Sequence, residues 1–285
     1  MRIFALFYSI QNFFHGTKAM TLNLDSNIEH LILSDNLHTA LNERSIPVFD
    51  MIDWQESTDS TNDDCKLWAT RGATRALSIS NHQSAGRGQS DRIWQSPVGN
   101  LYLSLLTSLP TPLDGRLALE VGLALVGMPI LKDLNLAVKW PNDLYAAGAK
   151  WGGILIEPIQ SHNMQHGAII GVGINLQPMQ ALVTDRRVTD LQTLLGKDLD
   201  RVALAAAVVE AMHLALDSFI KNCPQLPKRF LEWDELANQA IQIVQPEQPI
   251  QHARACGIFD DGSLQIATIH GIERLYSGQV SVKEE

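Results

Sequence analysis

Hydrophobic positions come in short dense blocks from Ile46 onward, and their period changes along the chain. The runs at 48–54 (VFDMIDW), 76–80 (ALSIS), 101–107 (LYLSLLT), 136–140 (LAVKW), 151–157 (WGGILIE) and 167–176 (GAIIGVGINL) are too short for helices and are bounded by Gly, Pro, Asn or Asp. That pattern predicts the buried strands of one mixed sheet. Between the first two strands, 60–72 reads as a short helix with Ser60 at the N-cap, Asp63 and Asp64 facing the positive end of the dipole, and Gly72 as the stop. Residues 116–127 (RLALEVGLALVG) read as a buried helix broken by Pro129, Thr189 and Gln192 match a capping box for a helix ending at Gly196, and 201–220 has the apolar density of a long packed helix.

Past residue 240 the runs shorten and alternate, punctuated by PEQP, DDG and SG, with Asp261-Gly262 as a hairpin signal. The expected fold is α+β: a mixed-sheet domain over 46–236, a small C-terminal β-barrel over 237–285, and a partly disordered extension over 1–45. The extension is too short and too poor in basic residues for a helix-turn-helix domain.

Composition narrows the function classes. With 285 residues, 45% hydrophobic and 19% charged, the chain can bury a full-sized core. A net charge of -9 opposes a general nucleic-acid role, because backbone binding depends on Lys and Arg displacing counterions. Cys65, Cys223 and Cys256 have neither zinc spacing nor an even count, which fits a reducing cytoplasm. His162 and His166 lie in a polar stretch that reads as a turn rather than a metal pair. No run approaches the roughly 18–20 apolar residues of a membrane span. Residues 1–20 imitate a secretory signal, but His15 and Lys18 stand where small neutral residues precede cleavage, so a disordered extension or a start at Met20 is expected.

Five segments carry candidate chemistry. "GRG" (86–88) opens a loop ahead of a strand, a place where backbone approaches a ligand or merely turns. "KWPNDL" (139–144) presents Asn142 and Asp143 where Pro141 ends a strand; these suit a sugar, a phosphate or Mg²⁺, or a simple Asx turn. Lys150 begins a strand whose Gly152 and Gly153 expose bare backbone, and "GVGIN" (171–175) repeats the device with Asn175 at its end. "STN" (60–62) supplies hydroxyls and an amide at a helix N-terminus. Together they offer glycine-opened walls for a flat ligand and two cations, Arg87 and Lys150, for a carboxylate and a phosphate, a combination suited to acyl-adenylate chemistry.

The segments STN, QSAGRG, W.SPVGNLYLS, KWPNDLY, K.GGILIE and GVGINL, in that order, resemble the biotin protein ligases over about residues 48–285. The resemblance implies a monofunctional ligase without a DNA-binding domain and with a small SH3-like C-terminal barrel. It would use ATP and Mg²⁺ to convert biotin to biotinyl-5′-AMP, then transfer biotin to a lysine of the biotin carboxyl carrier protein of acetyl-CoA carboxylase. By motif position, Ser60, Thr61, Asn62, Gln83, Gly153 and Gly171 would hold biotin, and Arg87, Gly88 and Gln89 would form the loop closing over carboxylate and phosphate. Trp94, Asn142, Asp143 and Asn175 would meet the nucleotide, with Asp143 toward Mg²⁺, and Lys150 would bridge the biotin carboxylate and the α-phosphate. It implies a monomer or weak homodimer with no nucleic-acid or membrane partner. Because every matched segment follows residue 45, the extension is expected to be dispensable for the chemistry.

The chain departs from the family where a basic run after GRG is replaced by Gln89-Ser90-Asp91-Arg92, which implies a looser grip on the adenylate. The alternatives are a non-catalytic biotin-sensing regulator and a lipoate-type ligase; the glycine-rich segment with a nearby His-Asp associated with the latter is missing.

Overall fold

The computed structural model describes residues 18–178, 187–245, 248–277 and 281–284; the signal-like run at 1–17 lies outside them. Helix α1 (Lys18–Glu43) leads into a seven-stranded sheet. Its strands are β1 (Met51–Gln55), β2 (Arg75–Ser80), β3 (Leu101–Ser108), β4 (Leu136–Lys139), β5 (Asp143–Ala146), β6 (Ala149–Ser161) and β7 (Met164–Ile174), in the order β1-β2-β3-β7-β6-β5-β4. β1 and β2 are parallel, as their connection through helix α2 (Thr61–Thr70) requires, and the other neighbours are antiparallel. Helices α3 (Arg116–Val126), α4 (Leu191–Leu195), α5 (Arg201–Ile220) and α6 (Leu226–Leu231) complete the main unit.

The two faces of the sheet follow from strand periodicity. Leu101, Leu103 and Leu105 of β3, Ile154 of β6 and Ile170, Val172 and Ile174 of β7 join one large core with residues of α1, α3 and α5. The alternate positions face α2, where Leu106 and Ile169 pack with Cys65, Trp68 and Ala69. Burial pushes the Cys65 thiol up to about 12, so it is an inert core residue. α5 is long and apolar enough to cross a membrane by composition, but it is a core helix: ten of its residues, Leu204 to Phe219, are buried.

Two local expectations change. The helix ending at Gly196 is capped by Asp190, whose carboxylate accepts from the Thr193 N–H at 2.8 Å; the neighbouring Thr189 N–H is already committed to the Lys150 carbonyl. Within the stretch read as an extension, α1 is an integral layer. Leu37 and Leu41 are buried in the main core, and Ser34 Oγ accepts from the Trp54 N–H of β1. The segment thus contributes buried side chains to the main core, while its expected dispensability concerns the chemistry alone.

The C-terminal unit is a five-stranded antiparallel sheet of β8 (Ala240–Val244), β9 (Gln251–Ile258), β10 (Leu264–Thr268), β11 (Gly271–Leu275) and β12 (Ser281–Glu284), ordered β11-β10-β9-β8-β12. Gly262, with φ +81°, makes the β9–β10 turn. The unit is tied to the main sheet along β4: Val138 donates to the Trp233 carbonyl, Glu235 donates to the Val138 carbonyl, and Trp140 Nε1 donates to the Gly262 carbonyl at 3.0 Å. The 233–235 segment thus covers an otherwise open sheet edge.

Asp234 lies in that junction. Its Oδ1 accepts from the Leu236 N–H, its Oδ2 is buried with no partner, and burial raises its pKa to about 6. A carboxyl whose pKa is raised on folding destabilises the fold at pH values above that pKa and ceases to do so once both states are protonated. Asp234→Asn is expected to stabilise by about 1–2 kcal/mol at pH 7.5, with the gain shrinking from pH 6 to 4 and absent below, in thermal melts across that range. Leu37→Ala is expected to cost about 2–5 kcal/mol in denaturant unfolding, a penalty that an appended segment would not show.

Candidate active site

The site is built on the α2 face of the sheet, where three glycines replace side chains. Pairing registers align Ser104, Gly171 and Leu155 across β3, β7 and β6, and Tyr102, Gly173 and Gly153 one step further along. A β-carbon at Gly173 would stand 2.8 Å from the Trp94 ring, and one at Gly153 would stand 3.2 Å from it and 3.4 Å from Lys150 Nζ. At Gly171 a β-carbon would collide with Asn62 Oδ1. The bare backbone is therefore what lets the Trp94 indole and the N-terminus of α2 settle onto the sheet.

At the α2 end a chain of polar contacts forms. Gln83 Oε1 accepts from the Thr61 backbone N–H at 3.0 Å, while its Nε2 donates to Ser96 Oγ at 3.0 Å. Thr61 Oγ1 and Ser104 Oγ are 2.6 Å apart, and Ser104 Oγ donates to Asn62 Oδ1 at 2.6 Å. Asn62 Nδ2 donates to Glu157 Oε2 at 2.6 Å, and Lys66 Nζ reaches the other Glu157 oxygen at 2.7 Å. Ser60 is the buried N-cap of α2 and makes no side-chain cap bond.

At the other end Lys150 Nζ stands 4.9 Å from the centroid of the Trp94 ring and 2.5 Å from Asp143 Oδ1. The Trp94 Nε1–H is buried without a partner. Asn175 Nδ2 donates to the Lys150 and Thr189 carbonyls, and Asn142 Nδ2 donates to the Ile154 carbonyl, so both amides hold the strand ends that carry Lys150 and Asp143. The GRG loop folds back on itself, with Gly88 donating to the Arg92 carbonyl and Trp94 to the Gly86 carbonyl. Gln89–Asp91 turn the chain at its tip, with Ser90 in the left-handed region at φ 55°. Arg87 makes a bidentate pair with Asp63 at 2.5 and 2.7 Å and stands 3.6 Å from Glu157. The guanidinium holds the Asp63 carboxyl below the usual carboxylate range.

Residues 52–175 match the Biotin/lipoate A/B protein ligase family. The biotin–[acetyl-CoA-carboxylase] ligase of Mycobacterium tuberculosis is 30% identical over 67% of this chain and 77% of its own length. This chain belongs to that family. The bifunctional ligase/repressor BirA of Escherichia coli is also 30% identical, over 72% of this chain and 65% of BirA, so the match spans just under two thirds of that relative. The biotin protein ligase of Aquifex aeolicus, solved with biotin and ATP, shares the fold with a TM-score of 0.71 at 24% identity, covering 83% of this chain and 100% of that one.

In this family member the positions singled out in the sequence fall on one sheet face and the loop above it. Thr61, Asn62, Gln83 and Gly171 form one cluster; Trp94, Asp143, Lys150 and Gly153 form the other; Arg87 bridges toward α2. Sequence reasoning missed Ser104, Ser96 and Glu157, and it took Asp63 only as a helix-dipole partner. A serine in the middle of the apolar LYLSLLT strand and a glutamate closing GGILIE were the available signals. His162 sits in the β6–β7 turn, whereas His166, read in the same turn, lies within β7, and among the described residues no three His, Cys, Asp or Glu gather as metal ligands.

If the glycine floor is the ligand platform, Gly173→Ala is expected to weaken ligand binding more than tenfold, because the new methyl displaces the Trp94 ring while the core face of β7 is untouched. Isothermal titration with biotin, alone and with ATP, measures it; unchanged affinity in a folded variant counts against the platform.

Proposed function

We propose that this chain joins biotin to ATP, forming biotinyl-5′-AMP and pyrophosphate, and then passes the biotinyl group to a lysine of the biotin carboxyl carrier protein of acetyl-CoA carboxylase. The observation that carries this reading is the placement of Lys150 against Trp94, over a glycine floor, two residues along β7 from the amide and hydroxyl cluster at Gly171. A fused ring with a urea edge needs hydrogen-bond partners on one side and bare apolar contact on its faces, and its carboxylate needs a cation where it meets a phosphate.

In the first step a biotin carboxylate oxygen attacks the α-phosphorus of ATP and the bond to the pyrophosphate oxygen breaks. A carboxylate is a weak nucleophile and the two reactants repel, so fixed positive charge and positioning supply the catalysis. Lys150 and Arg87 would supply this charge. Each holds a carboxylate partner, Asp143 and Asp63, that orients it before anionic substrate arrives. Thr61, Asn62 and Gln83, with Ser60 and Gly171, would hold the ring; Gly88 and Gln89 would close over the acid; Trp94, Asn142 and Asn175 would frame the nucleotide. In the second step the acceptor amine attacks the carbonyl of the mixed anhydride and AMP leaves.

Magnesium fits as an ion brought in on the ATP phosphates, since Mg²⁺ keeps most of its waters and needs only one or two protein oxygens, which Asp143 can provide. Bound there it would neutralise charge developing on the leaving pyrophosphate. A lipoate-type reading fits less well. A dithiolane ring has no N–H or carbonyl, and burying it against the polar groups of Thr61, Asn62 and Gln83 would leave them unpaired.

Incubation with ATP and Mg²⁺, and either biotin or lipoate, separates the readings by which acid releases pyrophosphate; release with neither removes the enzymatic proposal. Lys150→Ala is expected to fold normally and lose adenylate formation by about a hundredfold, roughly 3 kcal/mol of transition-state stabilisation, in pyrophosphate exchange.

A further inference from the structure

The polar chain beneath the ring subsite has a direction, and Glu157 sets it. A carboxylate accepts hydrogen bonds and has none to donate, so the end of the Asn62 amide that meets Glu157 Oε2 at 2.6 Å must be Nδ2. Oδ1 then faces Ser104, whose single proton is spent on it at 2.6 Å. Ser104 Oγ also lies 2.6 Å from Thr61 Oγ1, a contact that requires a proton between the two oxygens, and Thr61 gives it there in preference to its longer 3.2 Å contact with Gln83 Oε1. Thr61 Oγ1 is thereby left with lone pairs for an incoming ligand.

We propose that Glu157 is a positioning residue for biotin. Through Asn62 and Ser104 it fixes the Thr61 hydroxyl as an acceptor, matched to a urea N–H. The inference rests on the proposed biotin activity and deepens it by assigning the polarity of the ring subsite. Several features are built around this arrangement. Asn62 lies so close to Gly171 that a β-carbon there would exclude it, so the amide has one seat on the sheet. Ser104 is fully buried, and no water competes for its proton. Glu157 is itself held by Lys66 at 2.7 Å and approached by Arg87 at 3.6 Å, so the same carboxylate faces both the ring-binding chain and the loop cation.

With glutamine at 157 the amide can offer N–H to residue 62, Asn62 can turn over, and the direction of the chain is lost with little change in shape. Glu157→Gln is expected to raise the biotin Kd about tenfold by isothermal titration, while the KM for ATP at saturating biotin stays within twofold and the melting temperature within about 2 °C. Ser104→Ala cuts the chain at its middle and is expected to give the same split, which keeps the test available should the position 157 variant fold poorly. Unchanged biotin affinity in either folded variant overturns the inference. So does a parallel loss of biotin binding, ATP affinity and melting temperature, the signature of a merely structural carboxylate. Absence of biotin binding by the parent chain would overturn the proposed function and this inference together, whereas binding by the parent that is equal in the variants overturns this inference alone.

Discussion

Trp94 and the first turn of α2 rest on β6 and β7 because Gly153, Gly171 and Gly173 leave no side chain beneath them, and the rest of the site depends on that close approach. A sheet face normally stands off its neighbour by the length of two side chains. Removing one layer over a small area lets an amide, an indole and an ammonium gather at backbone distance. The opposite face of the same strands keeps Ile154, Ile170, Val172 and Ile174 and anchors the sheet to α3 and α5. Strand alternation thus separates the two tasks: one set of residues stabilises the fold and the other is free to be small.

Charge is arranged by the same economy of space. Lys150 and Arg87 would be poorly placed as isolated cations on a half-buried surface, and each is held by a carboxylate from a neighbouring segment, Asp143 and Asp63. These pairs fix the side chains without neutralising them irreversibly, since an anionic substrate can share or displace the carboxylate. Asn142 and Asn175 act behind them, tying the chain ends at residues 142–143, 150 and 189 through backbone carbonyls. The lever arm of a long lysine side chain is useful only if its backbone is immobile.

Stability is drawn from outside the ligase face. α1 fills the side of the core next to β1 with Leu37 and Leu41, and the C-terminal sheet closes the opposite edge at β4 through the 233–235 segment. Both flanks of the seven-stranded sheet are therefore covered, and the central strands β3, β6 and β7 that carry the site are the best supported. The cost appears at Asp234, a buried carboxyl oxygen without a partner at the junction.

The sequence by itself determined six of the seven strands of the main sheet (β5 lies in the stretch read as a turn after Pro141), the α5 helix, the Ser60 start of α2, the change of texture after residue 240 and the chemistry-bearing segments. Each of these is written in local period or in residues whose backbone preferences act over a few positions, such as Pro141, Gly262 and the run GVGIN. It misplaced the α4 cap by one residue, because the Thr189 N–H is claimed by Lys150, a strand distant in sequence. It gave no warning that Leu37 and Leu41 join the main core, since the partners that bury them lie far along the chain. Only the tertiary structure decided that Ser104 and Glu157 join the polar chain through Asn62 and that Arg87 rests on Asp63. Those contacts join residues separated by 42, 95 and 24 positions, and register and helix packing, rather than local pattern, bring them within hydrogen-bond reach.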